Sequence, residues 1–185
     1  MNSPKIHKIF LYNTLSRQKE IFNPKESGKV NLFVCGPTVY DYPHLGHGKT
    51  YTQFDVVVRF LRYSGYEVFY LQNITDIDDK IINRAKEQKI SWKELSEKFE
   101  KIYQEDMALL GNTSVTKYAR ATDYIPQIIQ QVETLKKKGY AYTISDGIYF
   151  ETAKFKEYGK LSGRTELKED DAVSRIDEAK EKKGW

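Results

Sequence analysis

The stretch that decides the fold reads VNLFVCGPTVYDYPHLGHGKT, Val30 to Thr50. Val30 to Cys35 is a short apolar, β-branched run, led in by Ser27-Gly28 and ended by Gly36-Pro37, the pattern of a buried strand. After a loop, Phe54, Val57, Val58 and Leu61 recur at the spacing of one helix face, and Gly65 stops the pattern. Glu67 to Ile74 (EVFYLQNI) then reads as a second strand. Two strands joined by a helix within about forty residues form a right-handed parallel βαβ unit, so the pattern predicts the opening of a doubly wound α/β sheet. Ligands of such sheets bind beyond the carboxyl ends of the strands, where Cys35 and Asn73 to Thr75 stand.

Downstream, Ile81, Ile82 and Ala85 open a helix behind the acidic residues Asp76, Asp78 and Asp79. Two further helical patterns follow: Leu95, Phe99, Ile102 and Leu109 from Trp92 onward, then Ile128, Ile129, Val132 and Leu135 from Ile125. Pro126 suits the first turn of the latter, and Gly139 closes it. Tyr140 to Thr152 alternates around Ser145-Asp146-Gly147, which predicts a β-hairpin. A hairpin interrupts the strand and helix order, so residues 1–120 are expected to be the first half of a nucleotide-binding domain. Residues 121–185 are expected to be part of a connective insertion, with a helix, a hairpin and a charged tail.

Composition narrows the class without naming it. The 185 residues are 30% charged, and no apolar run approaches the roughly twenty residues of a membrane span. The first ten residues lack a secretory pattern, and a single cysteine excludes an internal disulfide framework, so a soluble, cytoplasmic protein is expected. A net charge of +4 permits a polyanionic partner without identifying one.

The chemistry concentrates at His44-Leu45-Gly46-His47, where the long helix begins. Two imidazoles beside unpaired amides and the positive end of a helix dipole make an anion site. Gly46 would let a nucleotide approach the backbone, and the rings would hydrogen-bond phosphate oxygens as an α-phosphorus becomes five-coordinate. Two histidines at a helix start also serve as plain caps. Yet two of the three histidines in the chain share this loop.

This tetrapeptide resembles the HIGH signature of class I aminoacyl-tRNA synthetases, with leucine for isoleucine. Asn13-Thr14-Leu15, Val34-Cys35-Gly36-Pro37-Thr38-Val39-Tyr40-Asp41 and Asn73-Ile74-Thr75-Asp76-Ile77-Asp78-Asp79-Lys80 are similar to the cysteine-specific members in particular. The similarity continues through Arg120-Ala121-Thr122, Lys138-Gly139-Tyr140-Ala141-Tyr142 and Tyr158-Gly159-Lys160-Leu161-Ser162, and weakens after about Arg164.

The resemblance implies a Rossmann-like, HUP-type parallel sheet that activates cysteine with ATP and magnesium, then acylates tRNA(Cys), as a monomer. It implies catalytic and ATP-binding roles for His44 and His47, with Thr38 and Gly46 also at ATP. Cys35, Gly36, Thr38, Thr50, Asn73 and Thr75 would line the site for cysteine and its adenylate. It also implies Cys35 as one of four zinc ligands, the others lying beyond residue 185, with the metal choosing cysteine over serine because zinc holds a thiolate far better than a protonated hydroxyl. The family's lysine-loop signature KMSKS is absent from these residues, so weak or no aminoacylation is expected of the chain alone.

From the residues themselves, Cys35 reads equally as a small core side chain, Thr75-Asp76 as a helix N-cap, and Asp78 and Asp79 as a first helical turn. Two other functions fit the pattern: a paralog that passes cysteinyl-adenylate to a small amine, and an inert nucleotide-binding module.

Overall fold

A computed structural model describes residues 8–145 and 147–163. In chain order the elements are β1 (Phe10–Asn13), β2 (Gln18–Ile21), β3 (Lys29–Val34), α1 (Leu45–Tyr63), β4 (Glu67–Ile74), α2 (Asp79–Gln88), α3 (Trp92–Leu109), β5 (Lys117–Arg120), α4 (Ile125–Lys137), β6 (Ala141–Ile144) and β7 (Gly147–Phe150). They fall into two compact units, one built on Phe22–Tyr124 and the other on Phe10–Ile21 together with residues from Ile125 onward.

The larger unit carries a three-stranded parallel sheet in the order β3-β4-β5. Helix α1 makes the first crossover, and α2 with α3 makes the second. This is the α/β pattern that the strand and helix spacing predicts. Val30 and Val34 of β3 pair in register with Val68 and Gln72 of β4, so their buried side chains share one face with Tyr70 and Ile74. Val58 and Leu61 of α1, Ile81 and Ala85 of α2, and Leu95, Phe99, Tyr103 and Met107 of α3 complete that core.

Two helices are rotated from the expected faces. On α1 the buried residues are Tyr51, Asp55, Val58 and Leu61, while Val57 is exposed. Asp55 can be buried because its carboxylate accepts from the Ser114 amide at 2.8 Å and from Arg59. On α3, Leu109 is 86% exposed and Met107 takes the core position instead.

The smaller unit holds two hairpins, β1-β2 and β6-β7. In the first, Asn13-Thr14-Leu15 makes the turn, with the Leu15 amide donating to Asn13 Oδ1 at 3.0 Å and Arg17 at φ 58°. The second is the hairpin expected around Ser145 and Gly147. Pro126 sits in the first turn of α4, and Gly139 follows that helix at φ 77°. The charged stretch beyond residue 163 lies outside the described residues. Among the described residues no helix is long and apolar enough to cross a membrane.

Candidate active site

The site begins where β3 and β4 run out. Beyond Val34 the two chains stay side by side: the Thr75 amide donates to the Pro37 carbonyl at 3.0 Å and the Val39 amide to the Thr75 carbonyl at 3.2 Å. That ladder sets Thr38 beside Thr75 in a parallel bridge. Between these contacts the Gly36 amide donates to Asn73 Oδ1 at 2.8 Å, and Asn73 Nδ2 donates to Thr75 Oγ1 at 3.3 Å. Asn73 thus spends both ends of its amide on the scaffold. Gly36 is required by close approach, because a Cβ there would lie 1.7 Å from the Asn73 carbonyl oxygen.

Cys35 is exposed, so its reading as a small core residue is set aside. Its carbonyl accepts from the Tyr51 hydroxyl of α1 at 3.3 Å, and its thiol faces the Gly36 carbonyl at 3.9 Å. A thiol in the open is a usable soft donor. Tetrahedral zinc takes four ligands, however, and among the described residues no group of three or more His, Cys, Asp or Glu is placed to hold a metal. The described residues therefore do not fit a zinc ion by themselves.

Helix α1 starts with the two histidines, and the helix itself orients them. His44 is the N-cap: its Nδ1 accepts from the Gly46 amide at 3.1 Å. His47 Nδ1 reaches back to accept from the His44 amide at 3.2 Å, a reciprocal cap in which imidazoles replace the usual hydroxyl and carboxylate. The rings stack with centroids 3.9 Å apart and planes 21° from parallel. A nitrogen facing an N–H donor must carry a lone pair, so each neutral ring holds its proton on Nε2, on the side away from the backbone. Partial burial, and then the neighbouring His44, push His47 below the usual imidazole range, which favours the same neutral form.

These bonds change two expectations. The Gly46 amide, one of the first-turn donors anticipated for an anion, is taken by His44, so the outward donors are the ring Nε2–H groups. The demand for glycine at position 46 is also local, since a Cβ would come within 2.8 Å of His44 Cε1. The capping reading of the pair is therefore correct, and it leaves the other ring nitrogens free for a ligand.

The acidic stretch after β4 is structural in part. The cap of α2 is Asp78, whose side chain accepts from the Lys80 amide at 2.9 Å, and Asp79 occupies the first turn. Asp76 instead accepts from the Thr122 amide at 3.0 Å and from the Thr122 hydroxyl, which fixes Arg120-Ala121-Thr122 beside the end of β4. In the loop, Asp41 pairs with Arg84 of α2 at 2.8 Å, and Lys80 lies 5.2 Å from the Tyr40 ring centroid. Thr50 is exposed one turn beyond His47.

Sequence reading missed Tyr51. Its ring lies parallel to that of His47, 6.1 Å between centroids and 2° between planes, while its hydroxyl holds Cys35. Its position four residues after His47 on one helix was the available signal.

Comparison with known proteins places the chain in a family. Residues 21–184 match the family model for the catalytic domain of class I tRNA synthetases (C). The cysteine–tRNA ligase of Pyrococcus horikoshii is 58% identical over 153 residues, 83% of this chain and 32% of that protein. The cysteine–tRNA ligase of Thermoplasma volcanium is 54% identical over 157 residues, 85% of this chain and 35% of that protein. The chain thus spans about a third of the length of these curated relatives. Among solved structures, the methionyl-tRNA synthetase of Mycobacterium tuberculosis in complex with methionyl-adenylate aligns with a TM-score of 0.55 at 22% identity, over 60% of this chain and 23% of that one. A LeuRS of Agrobacterium radiobacter K84 in a ternary complex with tRNA and LeuAMS also gives 0.55, at 20% identity over 65% of this chain and 16% of that one. At such identities these two speak for the Rossmann-like fold alone. Matched over most of its length by the family model, and more than half identical to its members, the chain belongs to the class I synthetase family of cysteine–tRNA ligases.

Proposed function

We propose that this chain supplies the ATP-facing and cysteine-facing part of a cysteine–tRNA ligase, which activates cysteine as its adenylate and transfers it to tRNA(Cys). The observation that carries the reading is the pair of Nε2–H donors fixed at the start of α1, on the helix that also reaches the exposed Cys35 through Tyr51.

In the first step a carboxylate oxygen of cysteine attacks the α-phosphorus of ATP, bound as its magnesium complex, and pyrophosphate departs with the electrons of the bond that breaks. No side chain is the nucleophile. Negative charge builds on the phosphate oxygens, and two preoriented neutral N–H donors stabilise it without reorganising. The same rings would lose their caps if protonated at Nδ1. Thr38 and Thr75, side by side at the strand ends, offer hydroxyls to the substrate, whereas Gly36 and Asn73 act by holding the Cys35 backbone. In the second step a hydroxyl of the tRNA's terminal ribose attacks the cysteinyl carbonyl of the adenylate, and AMP departs with the electrons of the anhydride bond that breaks. Because the described residues do not complete a zinc site, no step is assigned to that metal. Residues 121–185 are read as part of the connective insertion.

The test begins with the chain itself: titration with magnesium-ATP, followed through the histidine ring nitrogens, is expected to shift the Nε2 signals of His44 and His47. Replacing either by alanine should weaken binding by about tenfold, the worth of one hydrogen bond to a charged group. Catalysis is then read as cysteine-dependent ATP–pyrophosphate exchange in a protein carrying this chain through to the length of its relatives. Exchange that ignores cysteine, or ring signals that ignore ATP, would overturn the proposal.

A further inference from the structure

Tyr51 is buried, and three neighbours define its position. Its hydroxyl donates to the Cys35 carbonyl at 3.3 Å. One face of its ring lies parallel to His47, and the edge of Tyr103 meets it at 5.5 Å and 77°. Tyr103 is fixed in turn by donating to Gln72 Oε1 in β4 at 2.9 Å, and by the Tyr118 ring at 6.4 Å. Burial, then the proximity of Cys35 and Tyr118, pushes the Tyr51 hydroxyl up to about 12, so it stays a neutral donor throughout the working range.

The Cys35–Gly36 peptide is therefore gripped at both polar ends. Tyr51 holds the carbonyl from α1, and Asn73 holds the following amide from β4. A peptide plane held at both ends cannot rotate, and its orientation sets the direction in which Cys35 projects its thiol. The ring that makes one of these contacts also sets the plane of His47.

We infer that Tyr51 is a positioning residue that links the two ends of the site, setting His47 with its ring and the Cys35–Gly36 peptide with its hydroxyl. This rests on the function proposed above but makes a separable claim. The two parts of the side chain do different jobs, so substitutions that remove them one at a time should have different signatures.

Tyr51→Phe keeps the ring and removes the hydroxyl. Amide hydrogen exchange at Gly36 is expected to speed up roughly two- to tenfold, as suits one hydrogen bond, while the His47 ring signals stay where they are. In the full-length ligase the KM for cysteine should rise by a similar factor with the KM for ATP unchanged. Tyr51→Leu removes the ring as well, so the His47 signals should move with the loss of the aromatic ring current and the KM for ATP should rise too. A purely structural role would move both substrates together and would not be rescued selectively by phenylalanine. The inference is overturned if Tyr51→Phe leaves Gly36 exchange unchanged, or if it shifts both KM values equally. Gly36 exchange and the His47 signals are read on the folded chain without turnover, so a ligase lacking cysteine-dependent exchange would remove the proposed function and leave the link itself tested. Should Tyr51→Leu fail to fold, Tyr51→Phe carries the test alone.

Discussion

The sharpest test of the site's scaffold is Gly36→Ala. A β-carbon at this position would stand 1.7 Å from the Asn73 carbonyl oxygen, 2.8 Å from its carbonyl carbon and 3.0 Å from Gln72 Cγ. The first two are backbone atoms of β4, between Gln72 and Ile74, both fully buried, so no rotamer change can make room. Gly36 does not have a positive φ, so the cost is collision and not backbone strain. The strand ends must part by more than an ångström, which breaks the Gly36 amide bond to Asn73 Oδ1 and disturbs the bridge between Thr38 and Thr75. Overpacking of this kind costs about 1–3 kcal/mol and the lost hydrogen bond about 1 kcal/mol, so a loss of about 2–4 kcal/mol is expected. With a urea slope of about 2 kcal/mol/M, the midpoint followed by circular dichroism should fall by roughly 1–2 M. Gly48→Ala is the control. It lies inside α1 with only Leu110 Cδ1 nearby at 3.3 Å, a flexible and exposed tip, and should be neutral or stabilising by up to about 1 kcal/mol. Adding Asn73→Ala to Gly36→Ala should not relieve the clash, because the obstructing oxygen belongs to the main chain. A loss under about 1 kcal/mol for Gly36→Ala would refute the close approach on which the site's geometry depends.

Three further outcomes follow from the same contacts. Asp55 is desolvated, which raises its pKa, but bonds from Arg59 and Ser114 more than offset this and hold it below the usual carboxylate range. A carboxylate lowered on folding contributes stability that is complete above its unfolded pKa and is lost as pH falls through the folded value; acid titration of Asp55→Asn against wild type should show the difference between the two shrinking below about pH 4. His47 is also lowered on folding, so it stays neutral at pH values where a free imidazole, at about pH 6.5, is already protonating; as pH falls through the lowered value the reciprocal cap should be stripped, and ATP affinity measured by calorimetry should weaken only below the usual imidazole range. On α3, Met107→Ala should cost about 2–5 kcal/mol in chemical denaturation whereas Leu109→Gln should stay within about 0.5 kcal/mol, the reverse of what apolar spacing alone suggests.

The contrast between what the sequence revealed and what it hid follows how far each residue's partners lie along the chain. Strands β3 and β4 were legible because their burial is written locally, as apolar runs closed by turn residues. Strand β5 was not: KYAR has a lysine and an arginine at its exposed ends and no apolar run, and it becomes a strand through its ladder to β4 and the hold of Glu100 on Arg120. The β1-β2 hairpin was hidden for a related reason, since all eight of its strand residues are exposed and none writes a two-residue alternation of burial. In the site, the histidines and Gly36 stood out by residue type and spacing, while Tyr51 reads in sequence as one more helix aromatic. What distinguishes it is a carbonyl sixteen residues earlier and a tyrosine and a glutamine from two other elements. Asp55 makes the same point from the opposite side. An aspartate on the apolar stripe argues against burial until Ser114, fifty-nine residues away, supplies the donor that makes burial possible. Residue type tells which groups need a partner, and only the fold tells which partner arrives; the polar residues misjudged from sequence are therefore those satisfied from a distance, and in this chain they include ones that hold the site together.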